Sequence, residues 1–145
     1  MTLTEDLCGV DWREFCAMFR RADLGDRKPE LAQAVFAGSY ACCFAWDQPR
    51  LVGAARAISD GVTSSAIYDV VVEPAYQNQG VGRALMQNLL SRLPKRSVML
   101  VSVHGKEGFY QKLGFRHLRT AYMLQENFGA WDSMGYFDDN VTTKP

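Results

Sequence analysis

The stretch from Ile67 to Leu90 holds the residue types best suited to chemistry. It runs from an apolar segment through Glu73-Pro74 and the loop Ala75-Tyr76-Gln77-Asn78-Gln79-Gly80-Val81-Gly82 into a helix pattern. Glycines at 80 and 82, just ahead of a helix, leave backbone N–H groups unpaired and unobstructed, which makes an anion site suited to phosphates. Two phosphate motifs are excluded. A P-loop needs Gly-Lys followed by Ser or Thr, but Gly82 is followed by Arg83 and Ala84. A dinucleotide fingerprint needs a small residue where Leu85 stands, and a closer approach than the seven residues between Val72 and Gly80 allow. Asp69 is the second notable residue, because it lies among Ile67, Val70, Val71 and Val72. A carboxylate in such a run needs a partner or a task, and Arg56 is the candidate partner.

The elements that must position these residues follow from periodicity. Asp11 and Glu14 form a plausible capping box for a helix over about Trp12 to Ala22, where Trp12, Phe15, Cys16 and Phe19 share a face. Pro29 suits the first turn of a second helix ending near Ala37. Tyr40–Trp46, Leu51–Ser59 and Ser65–Val72 read as strands, with turns at Asp47-Gln48-Pro49-Arg50 and Asp60-Gly61. A helix with Val81, Leu85, Leu89, Leu90 and Leu93 on one face closes at Pro94. Ser97–Val103 is a strand candidate and Glu107–Leu113 a short helix. Gly114 then precedes a strand-like run from Phe115. Gln125–Phe137 has room for another short helix, and Val141–Pro145 reads as a frayed tail. A meander followed by β-α-β crossovers implies a mixed α/β sheet with helices on its faces.

Composition bounds the function. The 145 residues are 48% hydrophobic and 22% charged, which suits one globular domain, 1–145, able to bury roughly 70% of its unfolded surface without a disulfide or metal. Sixteen basic residues offset sixteen acidic ones, so a nucleic-acid surface is not expected, whereas a few phosphates are readily accommodated. The longest apolar runs fall well below the roughly 18 residues of a membrane span, and Glu5 and Asp6 do not fit a signal peptide. A cytoplasmic location is expected. Cys8, Cys16, Cys42 and Cys43 lack metal spacing with His104 and His117 and read as buried free thiols; adjacent Cys42 and Cys43 should face opposite sides of a sheet. No metal site is expected.

The loop Gln77-Asn78-Gln79-Gly80-Val81-Gly82 resembles the (Arg/Gln)-x-x-Gly-x-(Gly/Ala) signature of the GNAT acetyltransferase superfamily. Phe109-Tyr110-Gln111-Lys112-Leu113-Gly114-Phe115 resembles its second signature. Ile67–Val72 looks most like the branch containing the plant-type serotonin N-acetyltransferases and their bacterial relatives. The resemblance implies a GNAT fold: a mixed, mainly antiparallel sheet with a central splayed strand pair and helices on both faces. It implies acetyl-CoA as cosubstrate, with Val70, Val71 and Val72 pairing with the pantetheine arm and the amides of Asn78, Gln79, Gly80, Val81, Gly82 and Arg83 holding the pyrophosphate. Gln77 would brace the loop, and a bulky residue at Gly82 would enter the phosphate space. Tyr110 takes the position of the family's phenolic acid at the thioester sulfur. Asp69 would take the acceptor's proton directly or through water, the ion pair with Arg56 being the alternative, and His104 is an alternative base. Tyr76 would border the groove or pack.

The activity so implied is transfer of acetyl to a primary amine, with a small arylalkylamine favoured. A protein N-acetyltransferase and a non-catalytic acyl-CoA sensor are the rivals. The family's pantetheine-holding asparagine is missing from Ser102-Val103-His104-Gly105. A homodimer is expected from the pairing habit of relatives and from the apolar cluster Trp131, Met134, Tyr136 and Phe137.

Overall fold

Alternation along the strands sends apolar side chains to both sides of one sheet, and helices cover each side. The computed structural model describes residues 1–94 and 96–138. Its strands are β1 (Thr2–Thr4), β2 (Ala41–Asp47), β3 (Arg50–Ser59), β4 (Ser64–Val72) and β5 (Ser97–Leu100). They lie side by side in chain order, antiparallel except for the parallel β4–β5 pair. The helices are α1 (Trp12–Arg21), α2 (Pro29–Ala37), α3 (Val81–Arg92), α4 (Glu107–Gln111) and α5 (Gly129–Ser133).

On one face Cys42, Phe44, Trp46 and Val71 pack against Phe15 and Phe19 of α1 and Phe36 of α2. On the other, Cys43, Ala45, Val52 and Ala57 pack against Val81, Leu85 and Leu89 of α3. The expected separation of Cys42 from Cys43 is therefore observed, and all four thiols are free. Cys8 departs from expectation, being exposed. Alanines and Gly53 let α3 approach closely. A Cβ on Gly53 would lie 3.1 Å from both the Val71 carbonyl and Leu85 Cδ1, and 3.2 Å from Val81 Cγ1.

Several expectations change. Asp11 caps α1 by accepting from the amides of Arg13 and Glu14, but Glu14 does not return the bond. Its carboxylate instead accepts from Arg21 at 2.6 Å, because a charged partner outcompetes a backbone amide. β1 was not anticipated from sequence; it is short and pairs with β2. β5 stops at Leu100 rather than Val103, and the run from Phe115 adds no strand. That run has no partner edge here: Tyr122 and Leu124 are 90% and 93% exposed. The splayed pair therefore lies at the sheet's edge, not at its centre. The tail expected at Val141–Pro145 lies outside the described residues.

Candidate functional site

The site begins where β4 and β5 part. Their pairing ends at Ile67 and Leu100, so Tyr68–Val72 has no neighbour on that side. A bulge marks the place. Tyr68 opposes Arg56 and Val71 opposes Ala54, so Asp69 and Val70 together face the single residue Ala55, with Asp69 at φ 54. The extra residue bends and twists the strand away from β5. Glu73 N–H donates to the Val52 carbonyl at 2.9 Å, which by alternation turns Val71 toward β3 as well. Val70 and Val72 then direct their backbone groups into the opening. Gln77 Nε2 donates to the Val72 carbonyl at 3.1 Å, so it ties the strand end to the loop that follows.

That loop delivers the N-terminus of α3. Its cap is Gly80, at φ 86 and without a side-chain acceptor, and the first return bond runs from Ala84 N–H to the Gly80 carbonyl at 3.0 Å. The amides of Val81, Gly82 and Arg83 are left as donors at the positive end of the helix dipole, an arrangement that fits a pyrophosphate. The two glycines differ in purpose. A Cβ on Gly80 would meet nothing within 4 Å, so Gly80 is there for its left-handed backbone. A Cβ on Gly82 would meet Phe109 at 3.4 Å and Val72 at 3.6 Å, ordinary contacts, so the protein leaves room for a Cβ here and little more. Asn78 and Gln79 are exposed on the same loop, and the Gln79 amide donates to the Ala75 carbonyl at 2.8 Å.

Two carboxylates on β4 and just after it are held by arginines. Asp69 accepts from Arg56 Nε at 2.5 Å and from Arg27 Nη2 at 2.8 Å. Burial works against its ionisation, but the two guanidiniums overcome this and hold its carboxyl below the usual range. This is the ion-pair alternative with one arginine more than the sequence offered, and a carboxylate so stabilised is a weak proton acceptor. Glu73 is 4% exposed, accepts from Arg21 at 2.8 Å and lies 3.4 Å from Arg50. Sequence reasoning missed Arg21, Arg27 and Glu73. The available signal was an acid between an apolar strand and a proline, with arginines unassigned on a helix end and the loop beyond it.

Tyr110 on α4 is half-buried, its ring edge-on to Phe109 at 5.0 Å and to Phe115 at 6.1 Å. Burial pushes its phenol above the ordinary value, which keeps the proton on oxygen near neutrality. Tyr76 packs by its ring, and its hydroxyl donates to Asp47 at 2.6 Å. His104 is exposed; its ring stacks on Tyr136 at 4.5 Å, and its Nε2 lies 3.2 Å from the Gly135 carbonyl. His117 is exposed.

A groove of about 550 Å³ lies at the splayed ends of the strands. Its walls come from the end of α1 (Arg21–Leu24), from Pro74 and Gln77, from Val103, His104 and Lys106, and from Met134 and Tyr136. Among the described residues there is no group of three potential metal ligands, and no helix is long and apolar enough to cross a membrane.

A sheet that splays beside a glycine-led helix without a side-chain cap, with helices on both faces, defines the acetyltransferase fold that the signatures suggested. A family model described as the acetyltransferase (GNAT) domain matches residues 17–126, and the chain belongs to that family. A structure of a GNAT-family acetyltransferase from Streptococcus pneumoniae superposes with a TM-score of 0.73 at 27% identity, covering 87% of this chain and 97% of the other. Serotonin N-acetyltransferase 2, chloroplastic, of Oryza sativa is 42% identical over 69 residues, 46% of this chain and 34% of its own. Histone acetyltransferase TAP1 of Glycine max is 40% identical over 72 residues, 48% of this chain and 31% of its own. The chain thus spans about a third of the length of these curated relatives.

Proposed function

We propose that this chain transfers acetyl from acetyl-CoA to a primary amine in a ternary complex, with a small arylalkylamine as acceptor. The observation that carries the reading is the continuity of one backbone surface. The groups of Val70 and Val72 that face the opening lead, through the Gln77 brace, to the amides of Val81–Arg83. Pantetheine can add to the first as an extended strand would, and the pyrophosphate can rest on the second. Asn78, Gln79 and Gly80 shape that loop, and Arg83 is exposed beside it. The groove, walled on one side by Met134 and Tyr136, has room for a small acceptor.

The chemistry needs a neutral amine, a stabilised oxyanion and a protonated thiolate. The amine's nitrogen bonds the acetyl carbon, the carbon–sulfur bond breaks, and one proton reaches sulfur while another leaves nitrogen. Tyr110, whose phenol is protonated near neutrality, is the donor to sulfur in this reading, and the Val70 amide is the donor to the oxyanion. Asp69 is a positioning residue: anchored by Arg27 and Arg56, it holds the bulge that turns Val70 outward. The proton that the amine loses passes to water in the groove, and the Tyr110 phenolate takes one back from water. Two copies pairing through the exposed Leu118, Tyr122 and Leu124 complete the proposal. Within the cluster expected at a dimer contact, the Trp131, Tyr136 and Phe137 rings pack on one another, Tyr136 also packs on His104, and Met134 is exposed.

Free CoA should appear when the protein and acetyl-CoA meet a panel of small amines, and much less with peptide acceptors. Acetyl-CoA binding without CoA release from any amine would favour the sensor instead.

A further inference from the structure

Two turns, 31 residues apart in sequence, meet beside the groove. The first follows β5. Lys106 N–H donates to the Val103 carbonyl at 3.2 Å and Gly105 takes the left-handed position at φ 81, so His104 stands at the tip of a type II turn. The second ends α5. Gly135 N–H returns to the Asp132 carbonyl at 2.9 Å and Tyr136 N–H to the Trp131 carbonyl at 3.1 Å, with Gly135 left-handed at φ 72. A clasp joins the two: the His104 ring stacks on the Tyr136 ring at 4.5 Å and 23°, and His104 Nε2, in the tautomer that carries its proton there, donates to the Gly135 carbonyl at 3.2 Å. Little else holds the second turn. Phe128, Trp131, Tyr136 and Phe137 pack on one another and on neither sheet core. Among the described residues, the His104–Gly135 bond is the one hydrogen bond between residues 126–137 and the body of the protein. Yet this segment supplies Met134 and Tyr136 to the wall of the groove. A wall fixed by one ring stack and one hydrogen bond opens far more readily than an element rooted in a core.

We infer that residues 126–137 form a hinged wall of the groove, that His104 is the positioning residue that clasps it shut, and that Tyr136 sets how bulky an acceptor can be acetylated. The inference rests on the acetyl-transfer reading and adds to it what limits the size of the acceptor. With the wall closed, the groove takes an amine that fits beside the Tyr136 ring. With it open, a larger body enters, and a small amine loses the apolar contact that the ring supplies. Selection by bulk then depends on the clasp and on no group that touches the reacting nitrogen.

The test uses the full chain, 2-phenylethylamine and the bulkier 2,2-diphenylethylamine as probes, and the variants His104→Ala, Tyr136→Ala and Tyr136→Phe. Hydrogen exchange should quicken at the amides of Met134, Gly135 and Tyr136 in His104→Ala, while α1, α3 and the sheet keep their protection. The melting temperature should hold, because the segment lies outside both cores. The ratio of kcat/KM for the bulky amine to that for the small one should rise about tenfold in both alanine variants and stay at the parent value in Tyr136→Phe, which keeps the ring. Unaltered exchange in His104→Ala overturns the clasp. An unaltered ratio in both alanine variants overturns the wall, and an equal fall for both amines in His104→Ala does so too, by making His104 the base. If the parent binds acetyl-CoA but acetylates no amine, the transferase reading fails separately, and hydrogen exchange decides on the clasp alone. Direct titration of the two amines into parent and Tyr136→Ala then decides on the wall, an equal preference overturning it.

Discussion

In the proposed reading the donor side of the site is made of backbone, whereas the groove beside it is lined by side chains. Val70, Val72 and the amides of Val81–Arg83 present main-chain groups fixed by a bulge, a brace and a close-packed helix. The groove's His104, Lys106 and Tyr136 instead project from a loop and a distant C-terminal segment. Backbone recognition tolerates most sequence change but demands glycine and spacing at a few positions. Side-chain recognition demands nothing periodic at all. One fold can therefore keep its donor while its acceptor varies.

This contrast can be broken most severely at Tyr110, the one side chain assigned to the chemistry. Tyr110→Phe should lower kcat by about 10² to 10⁴ while acetyl-CoA affinity measured by calorimetry stays the same. Next comes Asp69→Asn, which keeps a residue tolerant of left-handed backbone but leaves two part-buried guanidiniums uncompensated. Unfolding should become easier by about 3 to 5 kcal/mol, read in urea, and the pH–rate profile of the surviving activity should keep its shape. A vanished acidic limb with normal stability would restore Asp69 as the base. Smaller still is the acid dependence of the parent. Because the folded pKa of Asp69 is depressed below its ordinary value of 3.8, its contribution is complete above that pH and is lost as pH falls through the folded pKa. Urea midpoints of the parent should drop over that window, and those of Asp69→Asn should drop less. The mildest change is Gly80→Ala: its left-handed strain, about 1 kcal/mol, should weaken acetyl-CoA binding severalfold without touching the amine's KM. Sedimentation gives a separate check on association, with Leu118, Tyr122 and Leu124 changed to serine expected to leave a monomer.

Much of the fold was legible because its signals are local. Asp11 and Pro29 announced helix starts, Glu73-Pro74 announced a strand end, and the leucines of α3 announced its buried face. The bulge was not legible, since Asp69 and Val70 look like any other pair in a valine-rich run until the register with Ala55 is known. Nor was the run from Phe115: its apolar residues satisfy a strand pattern, but a strand exists only where an edge receives it. For the site, the glycine-led start of α3 could be read from glycines and spacing, whereas the clamps on Asp69 and Glu73 join residues far apart in sequence. Arg21 and Arg27 stood in the sequence as unassigned cations, but which acid each would meet depends on how the end of α1 and the loop beyond it lie against β4.

Gly53 gives the molecule a ruler. Because Gly53 carries no side chain, the buried Leu85 and Val81 side chains of α3 rest directly on the β3 backbone, and the separation between the opened strand and the helix amides is set by those two close-packed groups. A ligand that uses both must carry a spacer of one length. Acyl thioesters on a truncated arm should therefore gain from either anchor but not from both, and discrimination among donors becomes a matter of reach rather than of charge.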